Sequence, residues 1–497
     1  KDEFEMVGQD SLPDFPTPIM IHDSQGVPKW TVSIPQKYDF PLSMQEYKDM
    51  SSQCREVSAQ ARESHGMAPL TELAMMSYDA PDNDFIDVYE AQKLGMLPAA
   101  GDTRVYDRGH FVGMDKKDMY GKAVCESSMT YVLESRDAGM GNTLMKLWTF
   151  YGLAKEQGRS FFIDDSRWAY GDYANIFRTP PVPTCRPPPR HQIVPCPFQA
   201  KHLVVSASTA PEVFPALLAK HHRMAGTNDK GRELWQLARA GYEDLFALVP
   251  DDASYVQERV QDLQKKAQTN DITNAPIIGF HVRHGDRHPL EYQYREAYIP
   301  GEVYLEAAQQ ITENHYNQTE SDSDDRRAVT VIASDDPMVR KEADFNSALL
   351  AQERILLASK DNMQDPNAKP IRKFLKPFTE EAFGWEGGFF APMFWNLGVV
   401  RKNNAANAPT GVEVQDVNEE SSFTAPPSEQ TLQLRSLVGR AYMMDLAVLS
   451  TASDSVVCAV STMGCRLLGV MMQWEKGVGG EGWVNVDGGF GWTGIAW

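Results

Sequence analysis

The sequence predicts an α/β protein of two parallel-sheet units preceded by an N-terminal accessory region. A chain of 497 residues exceeds what one hydrophobic core usually serves. From Met129 onward, apolar strand-like runs alternate with helical stretches, the rhythm of parallel-sheet proteins. Three of those runs end in polar residues, as strands do when their carboxyl ends carry a ligand site.

Residues 1–125 mix proline-rich and polar segments with one helix expected near Met44 to Glu63, and read as an accessory or stem region. Tyr131-Val132-Leu133, Gly139 and Gly141, a helical stretch through Ala154, and Phe161-Phe162-Ile163 then make a βαβ unit. It opens a first Rossmann-like domain over residues 126–275. The turn Gly139-Met140-Gly141-Asn142 has a dinucleotide-binding look, but Leu144 stands in place of the third glycine, which weakens an NAD reading. Pro180 to Pro197 reads as an irregular crossing loop, and Arg186-Pro187-Pro188-Pro189-Arg190 suits a stiff connector better than a peptide-recognition motif.

Helical patterning covers Gly231 to Ala267, after which Ile277 to Val282 reads as a buried strand opening a second Rossmann-like domain, residues 276–497. Ala328 to Ala333 leads into Asp335-Asp336-Pro337 and a helix. Ser455 to Val460 leads into Ser461-Thr462-Met463-Gly464 and a helix through Gln473. A long insertion spans about residues 341–430, where Trp385, Phe389, Phe390, Phe394 and Trp395 suit sugar stacking and ordinary packing alike. Lys402 to Glu429 reads as a mobile loop, and the acidic run Glu320 to Asp325 as a solvated charge run rather than a metal loop.

A net charge of −20 argues against nonspecific binding to nucleic acid or an anionic membrane, so an anionic ligand needs a local basic cluster. No apolar run is long enough to span a bilayer. Lys1-Asp2-Glu3-Phe4 lacks an initiator Met, which suggests a processed or truncated chain; an upstream anchor and a homodimer stay open. The six cysteines include no Cys-x-x-Cys pair, so no structural zinc is expected. Cys458 and Cys465 bracket one turn and Cys185 and Cys196 flank the proline-rich loop, which suits bridges in an oxidising compartment as well as buried free thiols. The sequon Asn317-Gln318-Thr319 leans toward the secretory route.

If the strand ends converge, Arg283 and Arg287 bring positive charge to them. Ser461 and Thr462 would cap a helix whose open amides and dipole suit a phosphate. Diphosphate is the natural guest. Plainer readings stand beside these: Arg283 could close on Asp286 or another carboxylate, Ser461-Thr462 could be only a cap, and Asp335-Asp336-Pro337 only a turn.

Together these segments resemble the eukaryotic core α1,6-fucosyltransferases, relatives of the rhizobial nodulation fucosyltransferases. His281-Val282-Arg283-His284-Gly285-Asp286-Arg287 is similar to the family's His-Val-Arg-Arg motif. Arg440 to Asp445, Leu449-Ser450 and Val457 to Arg466 are similar to its second donor-binding block, paired cysteines included. Gly139 to Tyr151, Trp168-Ala169-Tyr170 and Phe177-Arg178 resemble its glycine loop, helix and aromatic segment, and Ser334 to Pro337 its acidic turn. The likeness covers residues 125–490 in patches.

The resemblance implies a GT-B fold, two Rossmann-like domains facing across a cleft. It implies an inverting, metal-independent transfer of fucose from GDP-fucose to an oligosaccharide or glycoprotein acceptor, in the Golgi lumen. Carried over by position, Arg283 would hold the β-phosphate, His281 and Asp445 would meet guanine or ribose, and Tyr170 would pack on the nucleoside. Thr462 and Met463 would line the diphosphate, with Gly139, Gly141, His284, Arg287, Asp335, Asp336 and Ser461 around the donor. Glu291 stands at the spacing of the catalytic base, with Asp286 second. Bridges Cys458–Cys465 and Cys125–Cys185 are implied as well. His284, Gly285 and Arg287 depart from the family's arginine, threonine and lysine. A noncatalytic glycan- or nucleotide-binding relative, or another donor sugar, remains open.

Overall fold

The structure is a computed structural model that describes residues 12–68, 82–98, 110–135, 137–207, 209–211, 229–268, 274–318, 326–359, 384–398 and 427–494. Strands β1 (Thr17–His22) and β2 (Pro28–Ser33) form an antiparallel hairpin. Asp23 fixes its turn by accepting the Gln25 and Val27 amides, each at 2.9 Å. Helix α1 (Met44–Ser64) opens with a capping box: Ser43 Oγ accepts the Glu46 amide at 3.2 Å, and the Glu46 carboxylate accepts the Ser43 amide at 2.8 Å. After α2 (Val88–Lys93), the N-terminal segment proves continuous with the hydrophobic core of the next sheet. The Cys54–Cys196 disulfide ties α1 to that sheet's approach.

The first parallel sheet has the order β4-β3-β5, from β3 (Ser128–Val132), β4 (Ser160–Asp164) and β5 (His202–Ser206). Between β3 and β4 runs α3 (Met140–Glu156). The single helical stretch expected from Gly231 to Ala267 is two helices, α4 (Asp229–Leu245) and α5 (Pro250–Ala267). Pro250 is the reason: without an amide hydrogen it cannot continue a helix, but it suits the first position of a new one. Helices α3 and α4 meet at glycines. A methyl group on Gly152 would run into the Leu237 carbonyl, and one on Gly241 into the Trp148 carbonyl.

The second parallel sheet has the order β10-β9-β6-β7-β8. Its strands are β6 (Ile277–Val282), β7 (Val329–Ser334), β8 (Leu349–Leu350), β9 (Ser455–Cys458) and β10 (Trp483–Asn485). Every residue of central β6 is buried, as a strand covered on both faces requires. Its helices are α6 (Gly301–Gln318), α7 (Ala391–Trp395), α8 (Glu429–Ala452) and α9 (Met463–Met471). The helix expected after Asp335-Asp336-Pro337 is only a 3-10 turn, Val339–Lys341. Bonds from the Val339 amide to the Asp336 carbonyl and from Lys341 to Met338 close the chain tightly there and return it to β8.

Side chains from α4 dock the two sheets' helices together. Arg239 of α4 donates to the carbonyls of Val470, Met471 and Met472 at 2.9, 2.7 and 3.3 Å, and Trp235 Nε1 donates to Gly469 at 2.6 Å. A guanidinium thus meets the negative end of α9. Asp252 of α5, 0% exposed, takes both ends of the Arg440 guanidinium of α8 at 2.7 and 2.8 Å.

Three disulfides are present. Cys458–Cys465 joins the end of β9 to the first turn of α9, and Cys125–Cys185 anchors the proline-rich loop. In that loop Arg190 pairs with Asp39 at 2.7 Å and Arg186 donates to the Lys122 carbonyl at 3.0 Å, so the proline run is an internal connector. Asn317 is exposed in the last turn of α6. Thr319 of its sequon, the run Glu320 to Asp325 and residues 402–426 lie outside the described residues. No helix among the described residues is long and apolar enough to cross a membrane.

Candidate functional site

A cavity of about 960 Å³, its solvent-open space included, is lined by the ends of β6 and β7 and by the segments that follow β3 and β4. Gly139 and Gly141 at the start of α3, Met463 and Gly464 at the start of α9, and Arg283 and Arg287 all line it, with Gly141 packed directly on Met463. No side chain caps α3, which leaves its first-turn amides without a capping acceptor, and Met140 and Gly141 line the cavity. The Gly139 amide is itself held by Ser135 Oγ at 3.1 Å and Asp137 Oδ1 at 3.0 Å. Ala138, which lines the cavity, has a left-handed φ of 53°, and its carbonyl accepts the Tyr170 hydroxyl at 2.8 Å.

Of the expected capping pair, Thr462 is the cap. Its hydroxyl accepts the Cys465 amide at 3.4 Å and donates to the Ala459 carbonyl at 2.8 Å, so it is already engaged. The Ser461 amide instead donates to Asp487 at 3.2 Å. Ser461 and Thr462 face a narrow crevice beside His284 and Arg287, while Met463 and Gly464 reach the main cavity.

Arg283 is held by carboxylates. It pairs with Asp335, and with Asp286 at 2.9 Å, and lies 5.3 Å from the Phe389 ring centroid. Asp335 also accepts the His284 amide at 2.8 Å and the Phe389 amide at 2.6 Å, so one carboxylate fixes the β6 end, the β7 end and the aromatic insertion. Gly285, at φ 74°, bonds to the Gly387 carbonyl at 2.7 Å, and a side chain there would strike the Phe389 carbonyl.

His284 turns toward Asp336, bonding at 3.0 Å, and stacks on Tyr298 with centroids 3.9 Å apart. Burial pushes the Asp336 carboxyl upward, but bonds from His284 and the Met338 amide outweigh it, leaving it below the usual carboxylate range. His281 is buried in the cavity floor; desolvation holds its imidazole neutral, down to about 4. Arg287 approaches Asp137 at 3.4 Å, linking the loop after β6 to the loop after β3.

Asp445 sits deep on α8 with one side open to the cavity, and burial raises its carboxyl well above the ordinary range despite bonds from Gln352. Tyr170 lines the same space and packs on Phe394, ring centroids 4.8 Å apart. Glu291 lines neither the cavity nor the crevice. Its amide and that of Leu290 are held by Asp487 at 2.8 and 3.0 Å, and a side chain on Gly488 would press on its carboxylate.

The structure thus brings His281, Arg283, Arg287, Tyr170, Gly139, Gly141, Asp335, Asp445 and Met463 to one cavity. Asp286 and Asp336 stand behind it as partners of Arg283 and His284. Sequence reasoning passed over Asp487, which is 0% exposed and binds three amides from two strand-end loops. A lone aspartate after Val484-Asn485-Val486 gives no local sign of partners nearly 200 residues away. It also left Trp385 and Phe389 unassigned, and both line the cavity. Among the described residues, no three His, Cys, Asp or Glu side chains converge as metal ligands would.

No family model matches the chain, and no curated protein matches its sequence. Among solved structures, it is similar to a NodZ α1,6-fucosyltransferase soaked with GDP-fucose, at TM-score 0.29 and 10% identity over 70% of this chain and 93% of that one. A fucosyltransferase NodZ from Bradyrhizobium matches at TM-score 0.27 and 10% identity, with the same coverage of 70% and 93%. An Arabidopsis thaliana FUT1 mutant in complex with GDP matches at TM-score 0.29 and 11% identity, over 83% of this chain and 81% of that one. The chain therefore has a distant structural similarity to fucosyltransferase structures.

Proposed function

We propose that the chain is an inverting glycosyltransferase that moves fucose from GDP-fucose to a hydroxyl of an oligosaccharide or glycoprotein acceptor, α1,6-fucosyltransferase-like and without a metal. The observation that carries this reading is one cavity holding two helix starts, two arginines and a deep carboxyl. Breaking the bond from the anomeric carbon to the phosphate oxygen leaves the electron pair on the diphosphate. The amides of α3 and α9, with Arg283 and Arg287, favour that charge.

Asp445 suits the donor groups of a purine edge or a ribose diol, and Tyr170 the face of the nucleoside. As the acceptor oxygen bonds to the anomeric carbon from the opposite side, its proton passes to a carboxylate. Glu291 is the base that the sequence resemblance supports, with Asp286 second. The disulfides suit an oxidising compartment, and with the sequon support a Golgi address.

A second reading, nucleotide or glycan binding without transfer, is favoured by the pairing of Arg283 with two carboxylates and by the place of Glu291 off the cavity. GDP titration and a GDP- and UDP-release screen over donor sugars and acceptor glycans, with product linkage determined, separate the two. Release from GDP-fucose with an acceptor supports transfer. GDP binding without turnover on any acceptor supports the second reading, and no nucleotide binding sinks both.

A further inference from the structure

Among the described residues, three arginines at or beside the cavity have carboxylate partners and two buried ones, Arg435 and Arg466, do not; Arg466 is turned to the Val460 carbonyl just ahead of its own helix. Arg283 pairs with Asp286 and Asp335, Arg287 with Asp137, and Arg440 with Asp252. Arg435, only 4% exposed, has no carboxylate at ion-pair distance among the described residues. Its Nη2 donates to the Trp395 carbonyl at 2.7 Å, and its Nε has no partner. Two aromatic faces supply the rest of its setting: the guanidinium carbon lies 5.3 Å from the Phe394 centroid and 4.9 Å from that of Trp395. Desolvation lowers its pKa, as expected for a buried cation without a counter-charge.

The place of this residue matters as much as its lack of a partner. Val438, Gly439, Tyr442 and Asp445 of α8 line the cavity, and Arg435 stands three and four residues before the first two. It therefore lies on the same helix stripe, about 15 Å along the axis from Asp445 at ~1.5 Å per residue. Phe394 touches both Arg435 and the cavity-lining Tyr170. One ring therefore separates the unpaired guanidinium from the cavity wall.

A buried cation without a partner is costly in any fold, and a helix face turned to a ligand cavity is an unusual place for it. We propose that Arg435 is an anion-binding residue of this cavity, pairing with an oxyanion of the bound ligand, phosphate or carboxylate, when Phe394 and Trp395 part. The Phe394 and Trp395 rings then hold the cation until the ligand supplies the counter-charge that no described carboxylate provides. The phosphate source rests on the nucleotide-sugar reading above; the carboxylate source, an acidic sugar, does not.

Calorimetric titrations of parent and Arg435→Met with GDP, guanosine, a neutral oligosaccharide and its uronic-acid counterpart test this. If phosphate is the partner, the preference for GDP over guanosine falls about tenfold or more in the variant, the scale of a lost charge-assisted bond. If a sugar carboxylate is the partner, the preference for the acidic oligosaccharide falls instead and the GDP preference stays. Both preferences unchanged in a folded variant would make Arg435 a packing residue and overturn the proposal. Should Arg435→Met fail to fold, Arg435→Gln, uncharged but polar, is read by the same ratios. A parent that binds neither GDP nor guanosine defeats the nucleotide reading while the carboxylate arm still judges Arg435. A parent that binds none of the four overturns both.

Discussion

Gly464 seats the first turn of α9 directly on the His281 ring, leaving no room for even a methyl group. Gly464→Ala should therefore push the helix start away from β6. Overpacking of this kind costs about 1–3 kcal/mol, and it displaces the amides that face the cavity. Both a lower denaturation midpoint and weaker GDP binding are expected; unchanged affinity in a destabilised variant would separate the helix start from the ligand.

Arg283→Ala removes the partner of Asp286 and Asp335 together. The proposed function then expects loss of transfer and GDP affinity reduced by about tenfold or more, the scale of a charge-assisted bond. Arg283→Ala with parental activity would refute the assignment. Asp335→Asn tests the frame instead: the His284 and Phe389 amides bond to different oxygens of Asp335, so the single oxygen of asparagine keeps one of them while the charge on Arg283 is freed. Tighter binding of GDP in that variant would show how far Asp335 holds the arginine in check.

Glu291→Gln should lower turnover by about 10²-fold or more if Glu291 takes the acceptor proton, while GDP affinity stays within a factor of about two. Steady-state turnover beside GDP titration reads both. Turnover equal to the parent's would move the role to another carboxylate, and Asp286→Asn is the variant to compare.

His191, His202 and His281 are held neutral by burial, each down to about 4 against an ordinary 6.5. Below pH 6.5 the unfolded chain takes up protons that the folded chain refuses, so their contribution to stability falls as pH drops toward 4 and then levels. Asp164 acts oppositely. Burial raises it to about 6 from 3.8, so its protonation favours the fold as pH falls through that interval. His202→Asn should flatten the acid-side loss by about one proton, as measured by urea unfolding at several pH values; an identical slope would remove His202 from the balance.

The disulfides should differ in worth by their span. Cys54–Cys196, separated by 142 residues, should contribute about 5 kcal/mol by loop entropy, against about 2 kcal/mol for Cys458–Cys465, separated by 7. Cys54→Ser/Cys196→Ser and Cys458→Ser/Cys465→Ser, compared by denaturant midpoint, should rank in that order. The reverse order would show that the short bridge acts through the native geometry of the α9 start.

Strands with continuous apolar runs were legible from the chain. Ile277 to Val282 is β6 to the residue, and the runs around Tyr131, Phe161, Ala328 and Val457 fall on β3, β4, β7 and β9. The hairpin β1–β2 was not, because its pairing rests on Asp23 turning the chain and on a core shared with a distant sheet. β8 and β10, of two and three residues, are too short to announce themselves without their neighbours, while β5 went unread although it is as long as β3. Chemistry-bearing residues at the strand ends could be named from sequence, whereas their mutual commitments could not. Nothing local says that Arg283 closes on Asp335, that His284 turns to Asp336, or that Asp487 reaches back to the Glu291 amide.

Helix α4 presses its Gly241 against α3 and its Arg239 against the carbonyl end of α9. The starts of α3 and α9, which line the cavity and pack on each other where Gly141 meets Met463, are therefore carried by one crosspiece. It holds the one by backbone contact and the other by three carbonyl bonds. Helix α4, which lines no part of the cavity, thereby sets the placement of two elements that do.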